Sequence, residues 1–178
     1  KLDKNFKNTL SNLRVESINS FLFHNVNDLK SKKGKEILDW LKSLKDRKKI
    51  ERIGISIYDP SDLNNLSLED IQIVQLPLSI YDQRMIISGA IKFLKEKTID
   101  IHARSIFLQG LFLEESKNWP SFLTSGFHDH HNQTNQKLNK YGISNLEASL
   151  EFVSNLKDLE AIVFGISKIK DLNEILEI

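Results

Sequence analysis

Few side chains in this chain can do chemistry unaided, and their placement is what suggests a site. His24 follows the apolar run Phe21-Leu22-Phe23 and precedes Asn25. A short apolar run cut off by polar residues reads as a buried strand that surfaces at its C-terminal end. An imidazole standing there can exchange a proton or hydrogen-bond a substrate oxygen. The plain alternative is that His24 ends a strand and donates to a backbone carbonyl. Four further apolar runs finish in the same manner, at Ser56, at Gln75, at Arg104-Ser105 and at Gly165-Ile166-Ser167-Lys168. In α/β folds ligands are handled at the C-terminal ends of the strands, so five polar ends in succession suggest a lined pocket. Gly165-Ile166-Ser167 precedes a helical pattern, and the free N–H groups of a helix start suit a phosphate. Each residue also has a simpler use: a strand-end hydroxyl for Ser56, a loop contact for Gln75, a carboxylate partner for Arg104.

His128-Asp129-His130-His131 looks like metal chemistry, with three imidazoles and a carboxylate in four residues. A helix, however, puts 128 and 131 on one face and throws 130 aside. No second ligand pair of suitable spacing accompanies it, although His102 is available. The expectation is therefore no metal site, and a solvated helix or loop. The chain has no cysteine, which excludes a disulfide framework, a thiolate zinc site and a thiol nucleophile, and fits a reducing, cytoplasmic setting. It contains no G-x-G-x-x-G, no G-x-x-x-x-G-K-[ST] and no G-x-S-x-G. The main support for a Rossmann or P-loop reading is thus missing, while a nucleotide held by barrel loops stays open.

The elements that must position these residues follow from hydrophobic period. Leu2, Phe6, Leu10 and Leu13 mark a helix over 2–16, and 18–24 the first strand. Ile37, Leu38, Leu41 and Leu44 form a helical stripe after Gly34. Strand 50–56 is broken by Tyr58-Asp59-Pro60, and Pro60 suits the first turn of a short helix to about Asn65. Strand 71–76 is stopped by Pro77. Ile87, Ala90, Ile91 and Leu94 place one helix over 84–96, followed by strand 99–104. Asn118-Trp119-Pro120 turns into a polar helical region ending near Tyr141-Gly142. Ser144-Asn145-Leu146-Glu147 is a capping-box pattern, and the helix it starts buries Leu146, Leu150, Val153 and Leu156. Strand 160–165 and a last helix with Ile169, Leu172, Ile175 and Leu176 complete the chain.

Repeated strand–helix alternation over 178 residues, with no low-complexity linker, argues for one α/β domain with a parallel sheet. Period alone leaves two architectures open: a five-stranded doubly wound sheet, or a portion of a (βα)8 TIM-type barrel. Lys and Arg total 25 against 24 Asp and Glu, a formal net charge of +1, so charge makes no case for nucleic acid. The basic runs Lys30–Lys35 and Arg47–Lys49 flank one predicted helix and read as solvated ends. No apolar run approaches membrane-spanning length, and the start has no signal-peptide core.

With these residues in place, the chain resembles the aldo/keto reductases, NAD(P)H-dependent (βα)8-barrel enzymes. Phe21-Leu22-Phe23-His24-Asn25 resembles the family's fourth strand, which ends in a catalytic histidine. Arg52-Ile53-Gly54-Ile55-Ser56 resembles the fifth, and Ile73-Val74-Gln75 the sixth, whose serine and glutamine contact the nicotinamide carboxamide. Ala103 to Leu111, reading Ala-Arg-Ser-Ile-Phe-Leu-Gln-Gly-Leu, is similar to the pyrophosphate loop after the seventh strand. Val163 to Ser167 and on to Glu174 resembles the eighth strand and the adenosine-phosphate loop. The likeness thus covers strands four to eight.

The resemblance implies an oxidoreductase that reduces an aldehyde, ketone or sugar carbonyl with NADP or NAD. It implies His24 as the catalytic residue and Ser56, Gln75, Ser105, Leu111, Gly165, Ser167, Lys168 and Glu174 as cofactor contacts. The wording of the 103–111 loop is similar to that of bacterial members linked to sugar metabolism. Four positions depart from the pattern. Ile57 replaces the usual Asn, and Arg104 an aromatic that stacks on the nicotinamide. Asp171 stands about where an arginine takes a 2′-phosphate, and Ile175 follows Glu174 where Asn is usual. The aspartate, tyrosine and lysine of the family's first three strands have no counterpart, and the chain starts without methionine. The expectation is a fragment, or the ordered part, of a longer enzyme, inactive by itself. A non-catalytic nucleotide- or partner-binding barrel is the other reading.

Overall fold

Apolar strands and amphipathic helices alternate from one end of the chain to the other in the computed structural model, which describes residues 1–178. The order is α1 (Leu2–Leu13), β1 (Ile18–Phe23), α2 (Val26–Lys30), α3 (Gly34–Asp46), β2 (Ile50–Ser56), β3 (Ile73–Pro77), α4 (Arg84–Ile87), α5 (Ala90–Glu96), β4 (Asp100–Arg104), α6 (Ser125–Lys140), α7 (Asn145–Ser154), β5 (Ala161–Val163) and α8 (Ile169–Leu176). Short 3-10 turns lie at Pro60–Leu63, Leu108–Leu113 and Ser116–Asn118. The sheet runs β1-β2-β3-β4-β5, each strand beside its sequence neighbour, and β1–β2, β2–β3 and β4–β5 pair in parallel. A doubly wound sheet reverses its strand order at a switch point. This one never does, so that alternative falls, and the fold is α/β with the winding of a (βα)8-barrel portion.

The chain divides into two compact units. The first comprises residues 1–76 with 92–101. In it Gly54, Ile55, Ser56 and Ile57 are buried in succession, as expected for a parallel strand covered on both faces. Leu41 and Leu44 of α3 sit in the same core. Phe6 of α1, Phe21 of β1 and Trp40 of α3 meet edge-to-face with centroids 5.7–6.0 Å apart. Trp40 Nε1–H donates to Asp3 at 3.0 Å, which holds that carboxyl below the usual range. Arg52 donates to Asn19 and to Asp100, tying the N-terminal ends of β1, β2 and β4.

The second unit comprises residues 77–91 with 102–178. Its core gathers Leu78, Met85, Ile106, Phe112, Trp119 and Val153. The Ser144 capping box is formed: Ser144 Oγ accepts from the Glu147 amide and Glu147 accepts from the Ser144 amide. Gly142, at φ +70, ends the turn after α6 in the left-handed region that glycine adopts at least cost.

Several expectations are corrected. The predicted helix over 84–96 is two, because Gly89 at φ +77 breaks it. Ile87 is consequently 82 % exposed rather than on the buried face, and Met85 is buried instead. Pro77 does not stop β3 but is its last residue, where a missing N–H costs no interior ladder bond. Helix α2 follows directly on β1, because the Asn25 side chain caps it by accepting from the Asn27 amide. Strand β5 is only three residues long. In α7 only Ser149 and Val153 are fully buried, while Leu146 and Leu150 are half-buried, and Leu156 lies past the end of the helix. No helix is long and apolar enough to cross a membrane.

Candidate functional site

In the first unit, pairing register brings three of the candidate residues into one row. Phe23 pairs with Ile55, so His24 and Ser56 follow at the same level, and Ser56 pairs directly with Gln75. Residues level across parallel strands project to the same side of the sheet. His24 is exposed, Gln75 half-buried and Ser56 only 3 % exposed. None of the three polar side chains is spent on the hydrogen bonds that hold the frame. The His24 ring meets Tyr58 edge-on at 6.5 Å. Tyr58 stands on a pinned loop, since its amide and that of Asp59 donate to Asp62 at 2.7 and 3.0 Å. Tyr58 escaped the sequence reading, because nothing in Tyr-Asp-Pro-Ser signals its nearness to His24.

In the second unit a cavity of about 820 Å³ lies among the segment after β4, the start of α7 and the segment from β5 into α8. Ser105, Gly165, Ser167, Lys168 and Glu174 all line it, so five of the sequence candidates come together there. Leu111 does not line it, and its carbonyl instead accepts from Trp119 Nε1 at 2.8 Å. The cavity lies within the size range of small-molecule sites. A second cavity, of about 630 Å³, opens beside the residues preceding β3 and β4, at the end of such folds where stability rather than chemistry resides.

The chemistry of the larger cavity is mixed. The rings of Phe107 and Phe164 lie 5.7 Å apart and give it an apolar side. Lys168 is the residue that begins α8, and the first N–H groups of that helix have no intrahelical partners. Cation and helix start together attract an anion. Asp171 in the first turn, Glu174 and Glu114 add three carboxylates to the lining. Glu174 is also paired with Lys170 at 3.4 Å. Gln109 and Gly110 in the lining belong to the 103–111 loop that the resemblance assigns to the pyrophosphate, whereas the continuation of that wall through Leu113 and Glu114 was not foreseen. That wall is unusual in its backbone: Ser105, Leu108, Gln109 and Gly110 all have φ between +51 and +91. For the three that are not glycine this costs on the order of 1 kcal/mol each and must be held from outside.

The expectation of a solvated 128–131 cluster is overturned for His131, which is 0 % exposed. It sits on the inward face of α6 against Trp119, Phe112 and Tyr81. Burial pushes the Tyr81 phenol above its usual range. His128 and His130 point to different neighbours, Trp119 and Tyr81 respectively, and no group of three potential ligands is placed to hold a metal ion.

The structure is similar to the holo form of an aldo-keto reductase from Bacillus halodurans, with a TM-score of 0.79 and 17% identity over 98% of this chain and 59% of that one. It is similar to the glycerol dehydrogenase from Gluconobacter oxydans, with a TM-score of 0.69 and 19% identity over 98% of this chain and 63% of that one. A thermostable aldo-keto reductase solved with the inhibitor epalrestat gives 0.70 and 17% over 99% and 59%. The chain therefore spans about three fifths of the length of these structures, and at such identities the likeness establishes the fold. A search of curated protein sequences finds no match. The sequence model of the aldo/keto reductase family matches residues 1–178 from end to end. The chain belongs to the aldo/keto reductase family.

Proposed function

We propose that this chain is the cofactor-facing part of an NAD(P)H-dependent oxidoreductase that reduces a small carbonyl compound to an alcohol. The observation that carries the reading is the pairing of Ser56 with Gln75 at the ends of β2 and β3, with His24 directly following Phe23, the β1 partner of Ile55. Bound NAD(P)H would supply the hydride. His24 donates a hydrogen bond to the substrate carbonyl oxygen and so stabilises the charge that develops there. The Ser56 hydroxyl and the Gln75 amide hold a planar carboxamide and fix which face of its ring is offered, a proximity effect. In the second unit, Lys168 and the free amides of α8 take phosphate oxygens, with Ser105, Gly165 and Ser167 beside them. Glu174 takes the adenosine end.

The cofactor is NADP or NAD, and the lining supports NAD. Three carboxylates, from Glu114, Asp171 and Glu174, share the cavity with Lys168. They suit ribose hydroxyls, which can donate, and repel an additional phosphate, which cannot. A sugar-related carbonyl substrate, a single domain over 1–178 and a cytoplasmic setting belong to the same proposal. The test is direct. Titration of the protein with NADH and NADPH, followed calorimetrically, should give saturable binding, tighter for NADH. The full-length enzyme should oxidise NADH in the presence of an aldehyde or ketosugar. Binding without turnover in that full-length protein would return the non-catalytic reading. No binding of either dinucleotide would remove the proposal.

A further inference from the structure

The histidine cluster of α6 has no part in the chemistry above, yet one member is tied to the cavity wall. His131 Nε2 lies 2.8 Å from the Glu114 carbonyl oxygen. That oxygen can only accept, so Nε2 carries the proton. In the tautomer that carries only this proton, Nδ1 accepts, and the Tyr81 hydroxyl lies 3.0 Å away to donate to it. The ring itself is clamped between aromatic neighbours, with the Trp119 centroid at 4.5 Å and that of Phe112 at 5.8 Å. Glu114, at the receiving end of this relay, lines the 820 Å³ cavity together with Gln109, Gly110 and Leu113.

We infer that His131 is a positioning residue for the nucleotide cavity: its Nε2–H fixes the Glu114 carbonyl and thereby the wall from Gln109 to Glu114, and Tyr81 selects the tautomer able to do so. The inference rests on the reading of the cavity as a dinucleotide site. Three observations support it. The wall begins with a left-handed run that local preference would abandon. The segment is held by side chains from outside it, with Trp119 Nε1 donating to the Leu111 carbonyl at 2.8 Å and Asn145 Nδ2 to the Phe112 carbonyl at 2.7 Å. Among these ties, the one from His131 comes from a side chain that is itself 0 % exposed, and it needs the proton on Nε2. Its loss leaves a carbonyl facing an aromatic pocket with no donor.

A filler of the core and a positioning donor make different demands on the side chain, and two isosteric amides separate them. His131→Gln places an amide N–H₂ about where the imidazole Nε2 stands. His131→Asn is shorter and reaches only the Nδ1 position. Each full chain is measured for NADH affinity by calorimetry, for amide hydrogen exchange at 109–114, and for its urea midpoint. The expected result is that Asn weakens NADH binding and speeds exchange at 109–114 by about tenfold each, a factor typical of one lost buried hydrogen bond. Gln stays within about threefold of wild type on both. Tyr81→Phe, which frees the tautomer without shrinking the core, falls between them. Equal effects of Gln and Asn, or effects that simply follow the urea midpoint, would overturn the inference. If Asn does not fold, Tyr81→Phe against Gln carries the same comparison. If the wild type binds no NADH, the cavity reading fails, and exchange at 109–114 still decides whether His131 holds the wall.

Discussion

Adding one methyl group to Gly54 should destabilise the protein, and adding the same group to Gly126 should not. Gly54 lies in β2, paired with Ile73 of β3 and with Leu22 of β1. A Cβ there would stand 2.8 Å from the Ile73 carbonyl oxygen, 2.8 Å from Leu22 Cγ and 3.2 Å from Ile73 Cβ. The Leu22 side chain is half-buried and can turn away, but the Ile73 oxygen belongs to the backbone of a buried strand. Relief therefore requires β2 and β3 to separate by a few tenths of an ångström, and overpacking of that kind costs about 1–3 kcal/mol. Replacing glycine lowers the entropy of the unfolded chain and returns roughly 0.4–1 kcal/mol. The net loss is about 1–2 kcal/mol, or a fall in Tm of roughly 2–8 °C for a chain of this size. Gly126, in the first turn of α6, has no atom within 4 Å of the added Cβ, so Gly126→Ala should stabilise by about 0.5 kcal/mol. Urea unfolding followed by circular dichroism measures both. A Gly54→Ala midpoint at or above wild type would refute the close-packing argument for β2, and a destabilised Gly126→Ala would refute the open-space argument for α6.

Other outcomes follow from the same structure. His24→Ala in the full-length enzyme should lower turnover by at least 10²-fold, in the range typical of a lost proton-handling group, while dinucleotide affinity stays within about twofold; equal loss of both would assign His24 to binding alone. Asp171→Arg should raise NADPH affinity relative to NADH by about tenfold, as expected when a carboxylate facing a phosphate becomes a bidentate cation; an unchanged ratio in calorimetry would detach Asp171 from the cofactor. Ser144→Ala should cost about 1 kcal/mol in urea unfolding, the usual worth of an N-cap. Glu147 accepts from the Ser144 amide and hydroxyl side, which holds its pKa below the ordinary 4.5. A carboxylate depressed in the folded state stabilises it above its unfolded pKa and loses that contribution as pH falls through the folded one. The acid-side loss of stability below about pH 4.5 should thus be shallower in Glu147→Gln, and an unchanged pH profile would show that the cap does not titrate with folding.

The parts of the fold that were legible in the sequence are those with a clean period or a local chemical signature. Strand β2 was read at its observed bounds because Ile50 to Ser56 is rich in β-branched residues and is bounded by polar turns. The Ser144–Glu147 box was legible because both partners lie within four residues. The errors came where a single residue overrides a pattern. Gly89 splits a helix whose apolar spacing is otherwise unbroken, and Asn25 caps a short helix, Val26–Lys30, that hydrophobic period does not announce. For the site, strand ends were legible, but their register was not, since pairing of Ser56 with Gln75 is set by nonlocal contacts. His131 was misread because α6 is polar on average, and only the packed neighbours Tyr81, Phe112 and Trp119 reveal which one of its histidines turns inward.

The unreversed strand order also dictates how the chain can assemble. Joining β2 to β3 brings together Ile53 and Gln72, 19 residues apart, and joining β1 to β2 brings together Asn19 and Glu51, 32 apart. Joining β4 to β5 must close the 58 residues between His102 and Glu160. The longest of these closures costs about 1 kcal/mol more entropy than the shortest, and it is rewarded by a strand of only three residues. Assembly should start at β2–β3, in the unit that bears the His24 row, and finish at β5, which borders the cavity. Substitutions in β2 would then slow refolding, whereas substitutions around β5 would leave refolding unchanged and hasten unfolding. The 820 Å³ cavity would thus belong to the last part of the chain to form and the first to open, and a ligand bound there would act as a kinetic clasp.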